Sequence, residues 1–453
     1  MKKLKSILAS RISLNKRIAF KALIWVMALW IGVVSLGREA AGRLYIDITS
    51  PSMRKISIAI PDFKHLGSAD EFRELSSALA DIMTRDFDLS GYFNPLDKNA
   101  FIEGPGSGIT RETINFKDWS IIGATLLLKG GYERIGSRLT VEVRLFDVFS
   151  GKQLFGKRAL GPVDQSRYLM HRMGNDIILA LAGHSGPFLT KLAFVGNGTG
   201  HKEIYRSDYD GHNLKQATDY KTITLSPRFS PSGDKMIYTS FRDSRTMLFM
   251  HDLVSGSITK ISDREGLNIA AAWSPSGREL ALTLTISGNP DIYLIDINGK
   301  IRKRLTSNWG IDVSPSFSPD GKKMAFVSNR SGSPQIYVLD VTTNQVERLT
   351  FEGNYNTSPA WSSLDRIAFT SSKDGRFNIC TISPDGSGLQ RVTQEGNNED
   401  PCWSPDGRYL AFSSDREGGS YQIFMANANG HNQNRITFLK GNQVSPSWGP
   451  HAQ

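Results

Sequence analysis

The stretch SPSFSPDG, residues 314–321, recurs with small changes along the C-terminal part of the chain. Proline at the first corner of such a turn fixes φ, aspartate or serine favours the bend, and glycine closes it. Each copy is therefore predicted to join two short strands, with its aromatic side chain packed between neighbouring sheets. Successive aromatic residues are spaced by 44, 44, 44, 42 and 45 residues. They are Phe229, Trp273, Phe317, Trp361, Trp403 and Trp448.

Two further landmarks repeat with the same period. One is a polar–apolar–hydroxyl triplet, such as RLT ending at Thr306 and again at Thr350. The other is a short strand-like run, such as IYLIDING beginning at Ile292. Because a period of 40–45 residues built from short strands is typical of propeller blades, six repeats predict a six-bladed β-propeller.

The two ends of the repeat array complement each other. The last copy, SPSWGP at 445–450, has no strand after it, whereas LTKLAFVG at 189–196 is a strand with no turn phrase before it. Pairing these two halves in one sheet closes the ring and leaves no open strand edge. We therefore predict a propeller over residues 187–453 that is closed by its own termini.

The region before the propeller has a mixed pattern. ISIAIPDF (56–63) alternates like a strand, whereas 68–91 and 166–183 carry apolar residues at helical spacing, the first after a serine cap. These patterns predict an α/β domain over residues 56–185. The fold class is therefore mainly β, a six-bladed β-propeller with a smaller N-terminal α/β domain.

The first 42 residues predict a signal peptide. Residues 1–42 hold eight basic residues and one acidic residue, with an apolar run at 22–36 and Ala40-Ala41-Gly42 after it. A retained membrane anchor is the alternative, but fifteen apolar residues fall short of the roughly 20 that a spanning helix needs. Cleavage before Arg43 would leave a chain with a net charge of about +3, which argues against a nucleic-acid partner.

The sequence argues against an enzyme. It contains no G-x-S-x-G nucleophile elbow, no H-E-x-x-H zinc helix and no P-loop, so no catalytic or metal-binding residue is predicted. The eight histidines are scattered and are expected at the surface. Cys380 and Cys402 lie 22 residues apart and are predicted to be buried free thiols, with a disulfide between them as the alternative.

The residues just before each turn phrase are predicted to surround the mouth of the central channel. Most of them are small or polar, which suits the capture of another protein's loop. Ordinary loop surface is the alternative for any one of them. Charge reversal at Asp312, Glu399 and Asp400 is expected to weaken partner binding and to leave the melting temperature nearly unchanged. The triplets are Thr224, Leu225 and Ser226; Asn268, Ile269 and Ala270; Asp312, Val313 and Ser314; Asn356, Thr357 and Ser358; Asn398, Glu399 and Asp400; and Gln443, Val444 and Ser445.

The order of these parts resembles the TolB family over essentially the whole mature chain. The resemblance rests on a leader, the segment YIDITSPSMRKISIAIPDF, an α/β domain that contains SGYFNPLD, and six SPDG-type repeats that end in SPSWGP. Two phrases depart from the pattern, SPAWSSLD at the fourth and AAAWSPSG at the second, and both departures affect turns only.

The resemblance implies a non-enzymatic periplasmic adaptor of the Tol–Pal system that needs no cofactor. It implies that the mouth binds the peptidoglycan-associated lipoprotein, that further outer-membrane proteins are possible partners, and that the protein supports outer-membrane integrity and envelope constriction at cell division. It also implies that the N-terminal segment, residues 43–55, engages the inner-membrane protein TolA. The contact residues of that segment would be Arg43, Leu44, Tyr45, Ile46, Asp47, Ile48 and Thr49.

Two alternatives stay open from the sequence. One is an exported propeller hydrolase or lyase that acts on a peptide or a glycan. The other is a propeller that binds a small ligand or a metal ion, such as calcium, in its channel.

Overall fold

The computed structural model describes residues 54–67, 72–104, 106–373 and 375–451. The predicted signal peptide and all seven contact residues of the N-terminal segment lie outside these ranges, so both stay predictions. Among the described helices, none combines the length and the apolar character of a membrane span.

The N-terminal part contains one mixed sheet. Its strand order is β3-β1-β4-β5-β6, with β2 paired to β4. The pairs β1–β3, β1–β4 and β2–β4 are parallel, and β4, β5 and β6 form an antiparallel meander. The strands are β1 (Ile56–Ala59), β2 (Lys64–His65), β3 (Phe93–Pro95), β4 (Leu126–Ile135), β5 (Arg138–Asp147) and β6 (Gln153–Pro162).

Three α-helices accompany this sheet in the part of the chain that the structure describes, α1 (Glu74–Ser90), α2 (Phe116–Ile121) and α3 (Ser166–Ala182). The two long helices are followed by Gly91 (φ 72°) and Gly183 (φ 81°), whose left-handed backbone is the usual helix C-cap. The α3 prediction is confirmed. The α1 prediction placed the first turn too early, because the helix begins at Glu74, and Ser68 lies outside the described residues.

Within the described residues, the C-terminal part forms six four-stranded antiparallel sheets, which confirms the six-bladed propeller. Five blades use consecutive strands, in the groups β10–β13, β14–β17, β18–β21, β22–β25 and β26–β29. The first strand of each group lines the channel and the last lies outermost. The strands of the five blades are β10 (Thr224–Phe229), β11 (Lys235–Ser240), β12 (Met247–Asp252), β13 (Ile258–Ser262), β14 (Asn268–Trp273), β15 (Glu279–Leu284), β16 (Asp291–Asp296), β17 (Ile301–Arg304), β18 (Asp312–Phe317), β19 (Lys323–Ser328), β20 (Gln335–Asp340), β21 (Val346–Arg348), β22 (Tyr355–Trp361), β23 (Ile367–Lys373), β24 (Arg376–Ile382), β25 (Gln390–Arg391), β26 (Asn398–Trp403), β27 (Tyr409–Ser414), β28 (Gln422–Asn427) and β29 (Asn434–Arg435).

The sixth blade joins the two ends of the repeat array. Its strand order is β30-β7-β8-β9, and β30 pairs antiparallel with β7 in a register that sets Trp448 opposite Leu192 and Gln443 opposite Gly196. The predicted closure by the chain's own termini is therefore confirmed. The four strands are β7 (Lys191–Gly196), β8 (Glu203–Asp208), β9 (Lys215–Gln216) and β30 (Gln443–Trp448).

The repeated phrase forms the predicted turns between the inner two strands of a blade. In the third copy, the Gly321 amide donates to the Ser318 carbonyl at 2.9 Å, and Gly321 has a φ of 72°. The fourth copy has no glycine there. Asp365 takes its place with a φ of 57° and donates to the Ser362 carbonyl, so the turn survives the substitution with a residue that tolerates the left-handed region.

The aromatic residue of the phrase connects adjacent blades. The Trp273 indole Nε1 donates to the Arg228 carbonyl of the preceding blade at 3.1 Å, and Trp403 does the same with Ala360 at 2.9 Å. Trp361, in the altered fourth phrase, instead donates to Asp365 of its own turn. The predicted inter-blade role is therefore confirmed for Trp273 and Trp403.

The two parts of the molecule share one apolar core. Phe87 of α1 and Met170 and Met173 of α3 belong to the same buried cluster as Leu192 and Tyr409 of the propeller. Within the described residues, both parts therefore belong to a single compact unit. Cys380 and Cys402 form no disulfide, as predicted, but both residues are half-buried and not buried as expected.

Candidate partner-binding face

The last residue of each predicted triplet lines the central channel. These residues border a cavity of about 470 Å³ at the centre of the ring. All six have a positive φ, between 51° and 55°, although none is glycine, and in each inner strand the pairing register shifts across this position. A bulge of this kind re-aims a side chain, here towards the channel. The residues are Ser226, Ala270, Ser314, Ser358, Asp400 and Ser445.

The first residue of each triplet is not available to a partner. All six are completely buried, because the strand alternates and turns these side chains into the blade. The expectation that whole triplets surround the mouth is therefore wrong for Thr224, Asn268, Asp312, Asn356, Asn398 and Gln443.

These buried polar residues fasten neighbouring loops. The Asn268 amide Nδ2 donates to the carbonyls of Thr246 and Arg264, and the Asn398 amide donates to the Glu395 carbonyl at 2.9 Å. Asp312 accepts two hydrogen bonds from Arg330 Nη2, at 2.8 and 3.0 Å. Their role is therefore to fix the rim on which a partner would dock.

The middle residues of the triplets are half-buried. Five of them are apolar or carry one hydroxyl, and the sixth is Glu399, whose Oε1 accepts from the Tyr421 hydroxyl at 2.5 Å. Burial raises the pKa of the Glu399 carboxyl above its usual value, and neighbouring Asp400 also raises it, whereas the Tyr421 hydrogen bond opposes the shift. The other five are Leu225, Ile269, Val313, Thr357 and Val444.

Asp400 connects three blades at the channel. Its Oδ1 accepts from the Ser358 hydroxyl at 2.9 Å, and its Oδ2 accepts from the Ser445 hydroxyl at 2.8 Å. It is the one carboxylate among the six channel-lining triplet residues. A calcium ion in the channel stays a prediction, and these residues would offer it this carboxylate and four serine hydroxyls.

Exposed aromatic side chains lie on the loops that lead into the innermost strands, and the sequence analysis did not predict them. Six loops, here called the mouth loops, run from the outermost strand of one blade to the innermost strand of the next. Trp309, Phe351 and Phe438 lie on three of them and are 73%, 73% and 71% exposed. The guanidinium of Arg348 lies 4.9 Å from the Phe351 ring centre and that of Arg435 lies 4.6 Å from the Phe438 ring centre. The mouth loops are 217–223, 263–267, 305–311, 349–354, 392–397 and 436–442.

A local signal for these aromatic residues does exist in the sequence. Phe351 and Phe438 directly follow the RLT or RIT triplet, and Trp309 follows it by three residues. A large apolar residue at the end of an outer strand, within a loop rich in glycine and asparagine, has no blade to pack against. Such residues mark contact surfaces when several share one face.

Comparison with known proteins agrees with this architecture. Residues 44–154 match the family model described as the TolB amino-terminal domain, and residues 179–452 match the TolB beta propeller domain. The second match alone spans more than half of the chain. The chain belongs to the TolB family. This is a family of non-catalytic adaptor proteins of the Tol–Pal system, which act in the cell envelope.

Individual relatives support the family assignment. The Tol-Pal system protein TolB of Geobacter sulfurreducens is 48% identical over 90% of this chain and 93% of its own. The protein of the same name from Syntrophotalea carbinolica is 40% identical over 47% of this chain, and the chain spans about half of that relative's length, 49%. A crystal structure of TolB from Acinetobacter baumannii matches 88% of this chain and 97% of its own, with a TM-score of 0.77 at 28% identity.

The buried ion pair of Asp312 leads to a prediction that differs from the one made from sequence. Replacing Asp312 with alanine would leave the Arg330 guanidinium, whose side chain is only 17% exposed, without its counter-charge. Breaking such a buried pair costs about 3–5 kcal/mol, so thermal unfolding should show a clear drop in melting temperature. Asp263→Ala is the matched control, because the Asp263–Lys260 pair is exposed and should contribute less than about 1 kcal/mol. Equal melting temperatures for the two variants would contradict this assignment.

Proposed function

We propose that this protein is a periplasmic adaptor of the Tol–Pal system that binds two partners at separate places. The mouth loops and the channel rim would bind the peptidoglycan-associated lipoprotein, and the N-terminal segment would bind TolA. The observation that carries the proposal is the group of three exposed aromatic side chains on the mouth loops of a TolB-family propeller.

The chemistry of the rim suits a folded protein partner. Trp309, Phe351 and Phe438 offer apolar area at low entropic cost, because each has only two side-chain torsions. Arg348 and Arg435 beside two of these rings add donors that a partner carboxylate can accept. Asp400 and Ser445 line the channel cavity and supply further hydrogen-bonding groups there. Aromatic anchors surrounded by polar groups are the usual anatomy of a protein–protein interface.

The N-terminal segment suits a different mode of binding. The run LYIDI, residues 44–48, alternates apolar and polar side chains, as a strand with one buried face does. Such a segment can add to the open edge of a partner's sheet through main-chain hydrogen bonds. Release by cleavage of the predicted signal peptide would leave it at the start of the mature chain, in the periplasm.

An adaptor with two separate sites can connect two membranes without spanning either. Contact with TolA leads to the inner membrane, and contact with the lipoprotein leads to peptidoglycan and the outer membrane. We therefore propose that the protein supports outer-membrane integrity and envelope constriction during cell division.

Deletion of residues 43–52 tests the separation of the two sites. The expected result is loss of TolA from a pull-down after envelope crosslinking, with recovery of the lipoprotein unchanged, because the mouth lies on the propeller. Far-ultraviolet circular dichroism of the purified variant provides the folding control. Loss of both partners from a folded variant would contradict two independent sites. Recovery of neither partner, with turnover of a peptide or glycan, would contradict the adaptor function itself.

A further inference from the structure

A second cavity lies between the sixth blade and the first, at the opposite end of the strands from the mouth loops. Its volume is about 640 Å³, which is within the range of small-molecule sites. Residues 232–234, in the turn after β10, and residues 449–451, after β30, contribute to its wall. None of its lining residues belongs to the mouth loops, and the proposed adaptor function does not use it.

The lining of this cavity includes an arginine without a counter-charge. Arg206 lies on β8, and its Nε is buried with no hydrogen-bond partner among the described residues. Burial lowers the pKa of the Arg206 guanidinium, and no carboxylate of a described residue opposes that shift. A half-buried charge of this kind gains strongly from an anion that pairs with it.

The two carboxylates in the lining are already paired. Asp208 accepts from Lys191 Nζ and, at 2.6 Å, from Asn213 Nδ2. Asp234 accepts from Lys235 Nζ. Each carboxylate therefore has its own lysine, and neither neutralises Arg206.

A nearby imidazole does not supply the missing charge either. His251 lies on β12 of the first blade, and its Nδ1 is buried without a hydrogen-bond partner in the described part of the chain. Burial and the Arg206 charge lower the pKa of His251, whereas Asp252 opposes the shift. Because its pKa lies below the usual value, His251 is neutral at pH 7.

A second cation lies beside Arg206. Lys215 of β9 is directly opposite Arg206 in the antiparallel pair, so both side chains leave the same face of the blade. Lys215 is exposed and also lines the cavity. Like charges directly opposite each other destabilise a sheet. An anion between them would remove this repulsion and accept hydrogen bonds from both side chains.

The rest of the lining includes apolar side chains. They are Phe229 of β10, Leu253 and Val254 after β12, and Pro450 after β30. Val254 is 85% exposed. Pro450 is packed against the turn of the first blade, since a Cβ atom at Gly233 would lie 2.8 Å from its Cγ. The cavity therefore offers both an anion-binding group and apolar surface.

We propose that this cavity binds a small organic carboxylate that carries one apolar group. The carboxylate accepts hydrogen bonds from Arg206 and Lys215, and the apolar group packs against Phe229 and Leu253. A carboxylate suits the planar guanidinium, because the two groups can form two parallel hydrogen bonds. An inorganic anion would leave the apolar side chains in water, and a neutral apolar molecule would leave Arg206 without its counter-charge. Since the ligand contacts both the sixth and the first blade, it should also raise the melting temperature.

Fluorine NMR of the purified mature chain with para-trifluoromethylbenzoate tests the site. The benzoate should titrate as a single site. Two analogues, para-trifluoromethylbenzamide and trifluoroacetate, should each bind about tenfold more weakly or worse, because the first lacks the charge and the second lacks the ring.

Variants locate the binding. Arg206→Gln should lower the affinity for the benzoate about tenfold or more, and the exposed variant Lys215→Gln should lower it by a smaller factor. Arg278→Gln is the matched control, because Arg278 is exposed on the corresponding turn of the second blade, and it should leave the affinity unchanged. Thermal unfolding checks that each variant is folded.

Three results would overturn the proposal. The first is the absence of saturable benzoate binding by the wild type. The second is a wild-type affinity for the benzamide or for trifluoroacetate that equals the affinity for the benzoate. The third is an affinity for the benzoate that is the same in Lys215→Gln and Arg206→Gln as in the wild type.

Discussion

Removal of residues 443–453 is expected to prevent the propeller from folding. These residues contain β30, the only strand that pairs with β7 on its channel side in the described structure. Without it, the sixth blade loses its innermost strand and the ring gains an open edge, which favours aggregation. The variant should be recovered in the insoluble fraction or without a cooperative thermal transition. Removing only residues 452–453 is the control and should leave unfolding unchanged. A soluble, cooperatively folded 1–442 chain would contradict closure by the termini.

A single substitution tests the same closure with a smaller expected loss of stability. Trp448 is 8% exposed, and its indole Nε1 donates to the Thr190 hydroxyl at 2.7 Å. Trp448→Ala should cost about 3–5 kcal/mol of unfolding free energy in a denaturant titration. Trp309→Ala is the matched control, since Trp309 is 73% exposed and its loss should change stability by no more than about 0.5 kcal/mol.

Alanine substitution of all three mouth aromatics should abolish lipoprotein binding without unfolding the protein. Trp309, Phe351 and Phe438 are more than two-thirds exposed, so the folded state gains little from them. An aromatic anchor at the centre of an interface contributes about 2 kcal/mol or more, so the triple variant should bind at least 100-fold more weakly. Isothermal titration calorimetry with the purified lipoprotein measures this change, and thermal unfolding checks the fold.

The control for the mouth variant is Phe149→Ala. Phe149 is 74% exposed but lies in the α/β domain, away from the mouth loops. The Phe149→Ala variant should leave the affinity for the lipoprotein unchanged. If the triple variant binds as well as the wild type, or if Phe149→Ala weakens binding equally, the partner does not dock on the mouth loops.

The repeat itself made most of the fold predictable. Each SPDG-type phrase fixes a turn through residues adjacent in sequence, so the turn at Gly321 could be predicted without coordinates. The pairing of β30 with β7 could also be predicted, because each end of the repeat array supplies part of one blade. The start of α1 was less predictable. Ser68 is a good capping residue, but the helix begins only at Glu74. Local propensity suggests where a helix can start, and packing decides where it does.

The sites were harder to predict, because they depend on side-chain direction and on distant residues. Asn268 and Ala270 belong to the same triplet, yet one is completely buried and the other lines the channel, since a bulge separates them. His171 was expected at the surface. It is buried because Asp86, 85 residues earlier, and Asp210, 39 residues later, meet it at the junction. No local sequence pattern predicts a contact between residues so far apart in the chain.

Site-specific photocrosslinking in living cells tests the adaptor function most directly. A benzophenone amino acid at position 309, on a mouth loop, should crosslink to a lipoprotein with a peptidoglycan-binding domain, as identified by mass spectrometry. The same probe at position 149, equally exposed on the α/β domain, should not. Crosslinks to that lipoprotein from position 149 but not from position 309 would contradict the proposed docking face.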